Sequence, residues 1–266
     1  MYIVKIPGIN GLGNTKGCEG AGNAILKSIK KIHSNEAGMP IDSNLFDIEE
    51  IHLDNGNLEL SNKLIYKNSF ETFEEQPKVI FLGGDHSISY STTRAFFDYC
   101  QNNEKEPCLI VFDAHADCME SMKEPTHEEW LRKLVEDGFP TKNILLVGVR
   151  NMWKSETTFI KEKGIKIIPM NQLLGNLQDT CDIIMEFSNN KELYVSIDID
   201  VIDPSFAPAT GYPESGGLSS RDFVYIIQRI NKIKNLKAID IVEINPEKDS
   251  DEMTVKLGAK ILSELI

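Results

Sequence analysis

Asp113, His115 and Asp117 occupy every second position of the run Asp113-Ala114-His115-Ala116-Asp117. An extended backbone turns alternate side chains to one side, so all three would point the same way. Asp198 and Asp200 repeat the spacing in Asp198-Ile199-Asp200-Val201-Ile202-Asp203-Pro204, and His86 lies in Gly83-Gly84-Asp85-His86-Ser87. Together these residues offer two imidazoles and four carboxylates, with no thiolate among them. Crowding carboxylates into a cleft of low dielectric is unfavourable unless cations neutralise them. Six ligands exceed the needs of one catalytic ion. With bridging carboxylates they can hold two divalent ions about 3.5 to 4 Å apart, close enough to share and activate a water. Such donors suit manganese and would also accept iron, cobalt, nickel or zinc. The chemistry expected is hydrolysis.

Each piece has a plainer reading when taken alone. The Asp-x-His-x-Asp run could be a polar strand end, His86 a capping or core histidine, and Asp198 to Asp203 a turn rich in Asx contacts before Pro204. Compatible ligands at three separate strand ends favour the metal centre over that combination.

The elements that must carry these groups are visible as short apolar runs: Tyr2 to Ile6, Val79 to Leu82, Leu109 to Phe112, Ile144 to Val149, Ile165 to Ile168, Leu193 to Ile197 and Ala238 to Val242. These read as buried strands. Between them lie helical stretches, among them Ala24 to Ile32, Glu128 to Glu136 and Asp222 to Ile233. The last has Phe223, Ile226, Ile227, Ile230 and Ile233 on one face, and Ser219 or Ser220 could cap its start. Alternating strands and helices predict a parallel sheet covered on both faces. Ligands bind beyond the carboxyl ends of strands in such sheets, where His86, the Asp113 cluster and the Asp198 cluster all fall. The stretch from His33 to Asn62 is more polar and only weakly periodic. No repeat or long linker divides the chain, so one domain over residues 1–266 is expected.

Composition narrows the partners. Acidic residues outnumber basic ones 41 to 28, a formal charge of -13 that would repel a phosphate backbone, so nucleic acid is not expected. No run has the length of a membrane span or the form of a signal peptide, which points to the cytosol. Five cysteines without a CxxC pair fit reduced thiols; Cys118 follows the ligand cluster but reads first as a small buried residue.

The three motifs GGDHS, DAHAD and SIDIDVIDP resemble those of the arginase and agmatinase family, the ureohydrolases. The likeness extends to PGINGLGNTKGCEGAGNAI, ILLVGVRN and APATGYPESGGLSSRD, and is weakest between His33 and Pro77. It implies a three-layer αβα sandwich with an eight-stranded, mainly parallel sheet, commonly assembled as trimers or hexamers. It further implies that Asp113 and Asp198 bridge two manganese ions, that His86 and Asp117 complete one site, and that His115 and Asp200 complete the other. His127, in THEEWLRKLVEDG, is similar to the family's proton-relaying histidine, and Glu243, in DIVEINPEKD, to the glutamate that grips the substrate's planar cation. A carboxylate can accept two parallel hydrogen bonds from a guanidinium, and an imidazole titrates near neutrality as proton relay requires.

Two departures bear on the substrate. The arginase-type signature SGNxHG is absent between Cys118 and His127, and the agmatinase-type HGT is replaced by His127-Glu128-Glu129. The usual APGTGTPE reads APATGYPE, with Ala209 and Tyr212. Glu128 and Glu129 could attract the distal amine of agmatine, but are expected first to complement a helix dipole at the surface. The resemblance therefore implies a small guanidino-type substrate, with agmatine first, and arginase, guanidinobutyrase and formimidoylglutamase activities as alternatives. A metal-binding regulatory subunit without turnover is the alternative of another class.

Overall fold

The computed structural model describes residues 1–10, 13–173 and 175–266, so Gly11 and Leu12, inside the amino-terminal stretch that carries part of the resemblance, lie outside the described residues. The strands are β1 (Tyr2–Ile6), β2 (Asp47–Glu50), β3 (Val79–Gly83), β4 (Pro107–Phe112), β5 (Ile144–Val147), β6 (Lys166–Ile168), β7 (Glu192–Asp198) and β8 (Leu236–Val242). They form one sheet in the order β2-β1-β3-β8-β7-β4-β5-β6, and every pairing is parallel.

The helices are α1 (Ala21–Ile29), α2 (Leu58–Glu75), α3 (Ile88–Asn102), α4 (Trp130–Glu136), α5 (Lys154–Lys163), α6 (Met170–Leu173), α7 (Leu177–Phe187), α8 (Ser220–Ile230) and α9 (Met253–Glu264). They cover both faces because the strands are apolar on both. Ile80, Leu82, Ile110, Val195 and Ile239 pack with Ile25 of α1, Ile184 of α7, Phe223 of α8 and Ile261 of α9. Their neighbours in sequence, Phe81, Leu109, Val111 and Tyr194, pack on the other side with Phe73 of α2, Phe96 of α3, Leu131 of α4 and Phe159 of α5. Adjacent strand residues thus serve opposite layers, giving the three-layer αβα sandwich.

The chain leaves β3, skips two places to lay down β4, and only later fills the gap with β7 and β8. The four central strands are therefore contributed by distant parts of the sequence, and their carboxyl ends share one edge.

Ser219, rather than Ser220, caps α8: its Oγ accepts from Asp222 N at 3.1 Å. The polar stretch from His33 to Asn62 contains β2, an edge strand whose four residues are all exposed, and the first turn of α2. Glu128 and Glu129 precede α4 instead of filling its first turn. Glu129 is buried, and its carboxylate accepts from both the backbone N and the Oγ1 of Thr126, so it braces the turn that holds His127.

Candidate metal centre and substrate pocket

His86 follows β3, Asp113 follows β4, Asp198 ends β7, and Glu243 follows β8. The shared sheet edge brings them together. Nδ1 of His86 lies 3.0 Å from Asp113 Oδ2, 3.0 Å from Asp117 Oδ2 and 3.2 Å from Asp198 Oδ2. Nδ1 of His115 lies 2.9 Å from Asp200 Oδ2 and 3.6 Å from Asp113 Oδ1. His86, Asp113 and Asp198 form one group able to hold a metal ion, and Asp113, His115 and Asp200 form another. Asp113 is common to both. Asp117 joins the first through its 3.0 Å approach to His86.

Backbone contacts fix this geometry. Asp113 Oδ1 accepts from His115 N, Asp198 Oδ1 from Asp200 N, and Asp200 Oδ1 from Ala114 N, at 2.7, 2.8 and 2.9 Å. The last bond ties the β7 cluster to the β4 cluster. Arg150 clamps the same loop with its guanidinium, donating to the carbonyls of Asp200 and Glu214 at 2.7 and 2.6 Å. Asp117 and Glu243 take positive φ values of 50° and 65°, an uncommon conformation for residues with a Cβ that aims both side chains inward.

Three groups not singled out in the sequence support the ligands. Ser196 Oγ donates to Asp240 Oδ1 at 2.7 Å and so receives the hydrogen bond from His86 Nε2 at 2.9 Å. With a cation bound, that arrangement would keep the His86 proton on Nε2 and leave the lone pair of Nδ1 for the ion. Asp240, buried in mid-strand, also accepts from Ser89 Oγ and Tyr194 OH, each at 2.8 Å. Trp130 Nε1 donates to Asp117 Oδ2 at 2.7 Å. The signals were a lone aspartate and a lone serine inside the apolar runs of β8 and β7.

The donor set fits divalent ions. Buried His86 Nδ1 and Asp113 Oδ2 have no hydrogen-bond partner although they face one another at 3.0 Å, the arrangement of ligands converging on a cation. Burial disfavours a charged His86, but Asp113, Asp117 and Asp198 outweigh it and raise the imidazole well above its ordinary value. Burial, and then the charge of Asp113, pushes Asp117 up to about 7. Burial and then Asp200 do the same, more strongly, to Asp198. Cations at the two groups would relieve these repulsions.

A cavity of about 590 Å³ opens over the cluster. His127 and Glu243 both line it. Glu243 Oε1 accepts from His86 N at 2.9 Å, and Oε2 is 3.8 Å from Cys18 Sγ. Burial, and next Asp85, raises Glu243 well above the carboxylate range, so a cationic partner would be welcome there. His127 is buried with both ring nitrogens unpartnered, and its ring stacks on Tyr212 with centroids 5.0 Å apart. Burial, reinforced by His86, lowers His127 to about 4. Cys118 is buried, burial followed by Asp117 raises its thiol far above the ordinary value, and it belongs to neither group of candidate ligands.

The model of the arginase family matches residues 1–266. The agmatinase of Bacillus subtilis (strain 168) is 31% identical over 230 residues, which cover 85% of this chain and 75% of that protein. Mitochondrial arginase 1 of Oryza sativa subsp. indica is 31% identical over 196 residues, covering 72% of this chain but only 56% of the rice protein. Among solved structures, formimidoylglutamase from Bacillus subtilis subsp. subtilis str. 168 superposes with a TM-score of 0.90 at 23% identity, covering 99% of this chain and 85% of that one. That likeness concerns the fold.

Proposed function

This chain belongs to the arginase family, whose members hydrolyse guanidino carbon–nitrogen bonds with a binuclear metal centre, and on that premise we propose that it cleaves agmatine to urea and 1,4-diaminobutane. The observation that carries the choice of substrate is the charge of the pocket. Among the described residues no lysine or arginine lines the cavity. Arg150, nearby, spends its guanidinium on backbone carbonyls. Arginine, guanidinobutanoate and formimidoylglutamate all carry a carboxylate that would enter this acidic pocket without a counter-charge, whereas agmatine carries only cations.

In this reading His86, Asp113, His115, Asp117, Asp198 and Asp200 would hold two divalent ions, manganese first, with Asp113 and Asp198 available to both. The ions supply Lewis acidity and lower the pKa of water. Glu243 accepts hydrogen bonds from the guanidinium and orients its carbon over the cluster; the two charges stabilise one another in a buried place. His127 starts neutral at pH 7, because its pKa lies near 4. It therefore takes a proton from the attacking water on a free ring nitrogen and returns it to the departing amine. The stack against Tyr212 holds its ring in place for both transfers.

The test is urea release from agmatine, arginine, 4-guanidinobutanoate and formimidoylglutamate (formamide for the last), with and without manganese, beside Asp113→Ala. Manganese-dependent release from agmatine alone, lost in the variant, is expected. Turnover of a carboxylate-tailed compound instead would overturn the substrate, and tight metal binding with no turnover would favour the regulatory reading. The proposal extends to a cytosolic homotrimer or homohexamer, which sedimentation of the purified protein checks. No described helix is long and apolar enough to cross a membrane.

A further inference from the structure

We propose that Glu128 and Tyr212 form the subsite for the far end of the substrate, with Glu128 selecting a tail that ends in a primary ammonium; this rests on the guanidino-hydrolase reading above.

The two consecutive acids after His127 are put to different uses. Glu129 is buried and both its oxygens are engaged by Thr126. Glu128 lines the cavity with its side chain 43% exposed. Its backbone is pinned on both sides, N donating to Thr126 Oγ1 at 3.2 Å and O accepting from Met119 N at 3.1 Å. The carboxylate is thus carried on a fixed stem. Among the described residues its one ion-pair contact is His127 Nε2, at 3.9 Å. Burial keeps that imidazole neutral near pH 7, so Glu128 faces the cavity without a protein cation.

Tyr212 lines the cavity together with Glu128 and Glu243. Its ring lies nearly parallel to His127, at 20°. Its stacking partner His127 has Nε2 3.9 Å from Glu128 Oε1, and a Cβ on the preceding Gly211 would stand 3.1 Å from Glu243 Oε2, so Tyr212 neighbours both carboxylates. A linear substrate gripped by Glu243 at its guanidinium would run along the aromatic face and bring its other end toward Glu128. A methylene chain is well received by such a face, and an ammonium by a carboxylate beside it. A carboxylate tail would meet like charge.

The experiment compares agmatine, uncharged-tailed butylguanidine and 4-guanidinobutanoate on metal-loaded wild type, Glu128→Gln and Glu128→Lys. Glu128→Gln is expected to raise the KM for agmatine about two- to fivefold, the size of a partly exposed charge pair, with kcat unchanged and butylguanidine unaffected. Glu128→Lys is expected to shift preference toward 4-guanidinobutanoate. An unchanged KM for agmatine in Glu128→Gln, or an equal loss with butylguanidine, would overturn the subsite. Should wild type hydrolyse no guanidine, the functional reading fails separately, and calorimetry decides the subsite. In that assay 1,4-diaminobutane must bind wild type more tightly than butylamine and lose that advantage in Glu128→Gln; equal affinities for wild type would overturn it.

Discussion

Trp130 Nε1 donates its hydrogen bond to Asp117 Oδ2, the oxygen that also lies 3.0 Å from His86 Nδ1. A fully buried indole that anchors α4 in the core thereby sets the position of a carboxylate at the candidate metal centre. Trp130→Phe keeps most of the bulk and removes the donor. Unfolding free energy is expected to fall by about 1 to 3 kcal/mol, the range for a buried hydrogen bond to a charged group. Manganese affinity should weaken about tenfold. Denaturant titration and calorimetric metal titration measure the two effects.

Asp240 touches neither ligand group directly, yet it collects hydrogen bonds from Ser89, Tyr194 and Ser196. Asp240→Asn would present an amide donor to some of those donors and loosen the Ser196 acceptor that keeps the His86 proton on Nε2. A 10- to 100-fold loss of metal affinity is expected, the usual magnitude for such outer partners. With a diamagnetic ion such as zinc bound, nitrogen-resolved NMR of His86 should show Nε2 protonated in wild type and a mixture of tautomers in the variant.

Gly84 fits where no side chain could: a Cβ there would stand 2.1 Å from the carbonyl oxygen of Gly8. Backbone on backbone cannot yield, so β1 and the β3 turn would have to separate. Gly84→Ala is expected to destabilise by about 3 kcal/mol, at the upper end of overpacking effects, and to misplace His86. Thermal melting with a parallel metal titration would reveal both; a wild-type melt would contradict the close approach.

His127 should titrate below the ordinary 6.5 of an imidazole, near 4. The sign for stability follows from proton counting. Between pH 6.5 and 4 the unfolded chain binds a proton that the folded chain refuses, so this contribution is full above pH 6.5 and is lost as pH falls toward 4. NMR titration of His127 tests the value, and His127→Asn should flatten that part of the stability curve.

Metal removal should destabilise the loaded protein, because ions that bind only the folded cluster add to its stability by mass action. A chelator is expected to lower Tm, and manganese to restore it, more in wild type than in Asp113→Ala.

Much of this architecture was legible because the central strands are apolar on both faces. Tyr2 to Ile6 is the same in sequence and structure, and the other buried strands shift by only a few residues. β2 escaped notice because Asp-Ile-Glu-Glu has neither an apolar run nor a buried face, and only its pairing with β1 makes it a strand. The candidate ligands were readable from their types and their place after strands, but not by the extended backbone expected of them: Asp113 to Asp117 lie in bends beyond β4, Asp117 is left-handed with a φ of 50°, and Asp200 sits in a 3-10 turn. Ser196, Asp240 and Trp130 were not, because their meaning depends on which strands become neighbours. Neither was the division of labour between Glu128 and Glu129, which turns on where α4 begins.

The margin of the sheet at β2 carries Asp47, Glu49 and Glu50 outward, with Lys5 paired to Glu50. A free strand edge is a template for adding another strand, and like charges along it discourage a second molecule from docking there edge to edge. Two copies meeting through β2 would set acid against acid. The β2 margin thus carries a built-in barrier to runaway fibrillar stacking through that edge of the sheet.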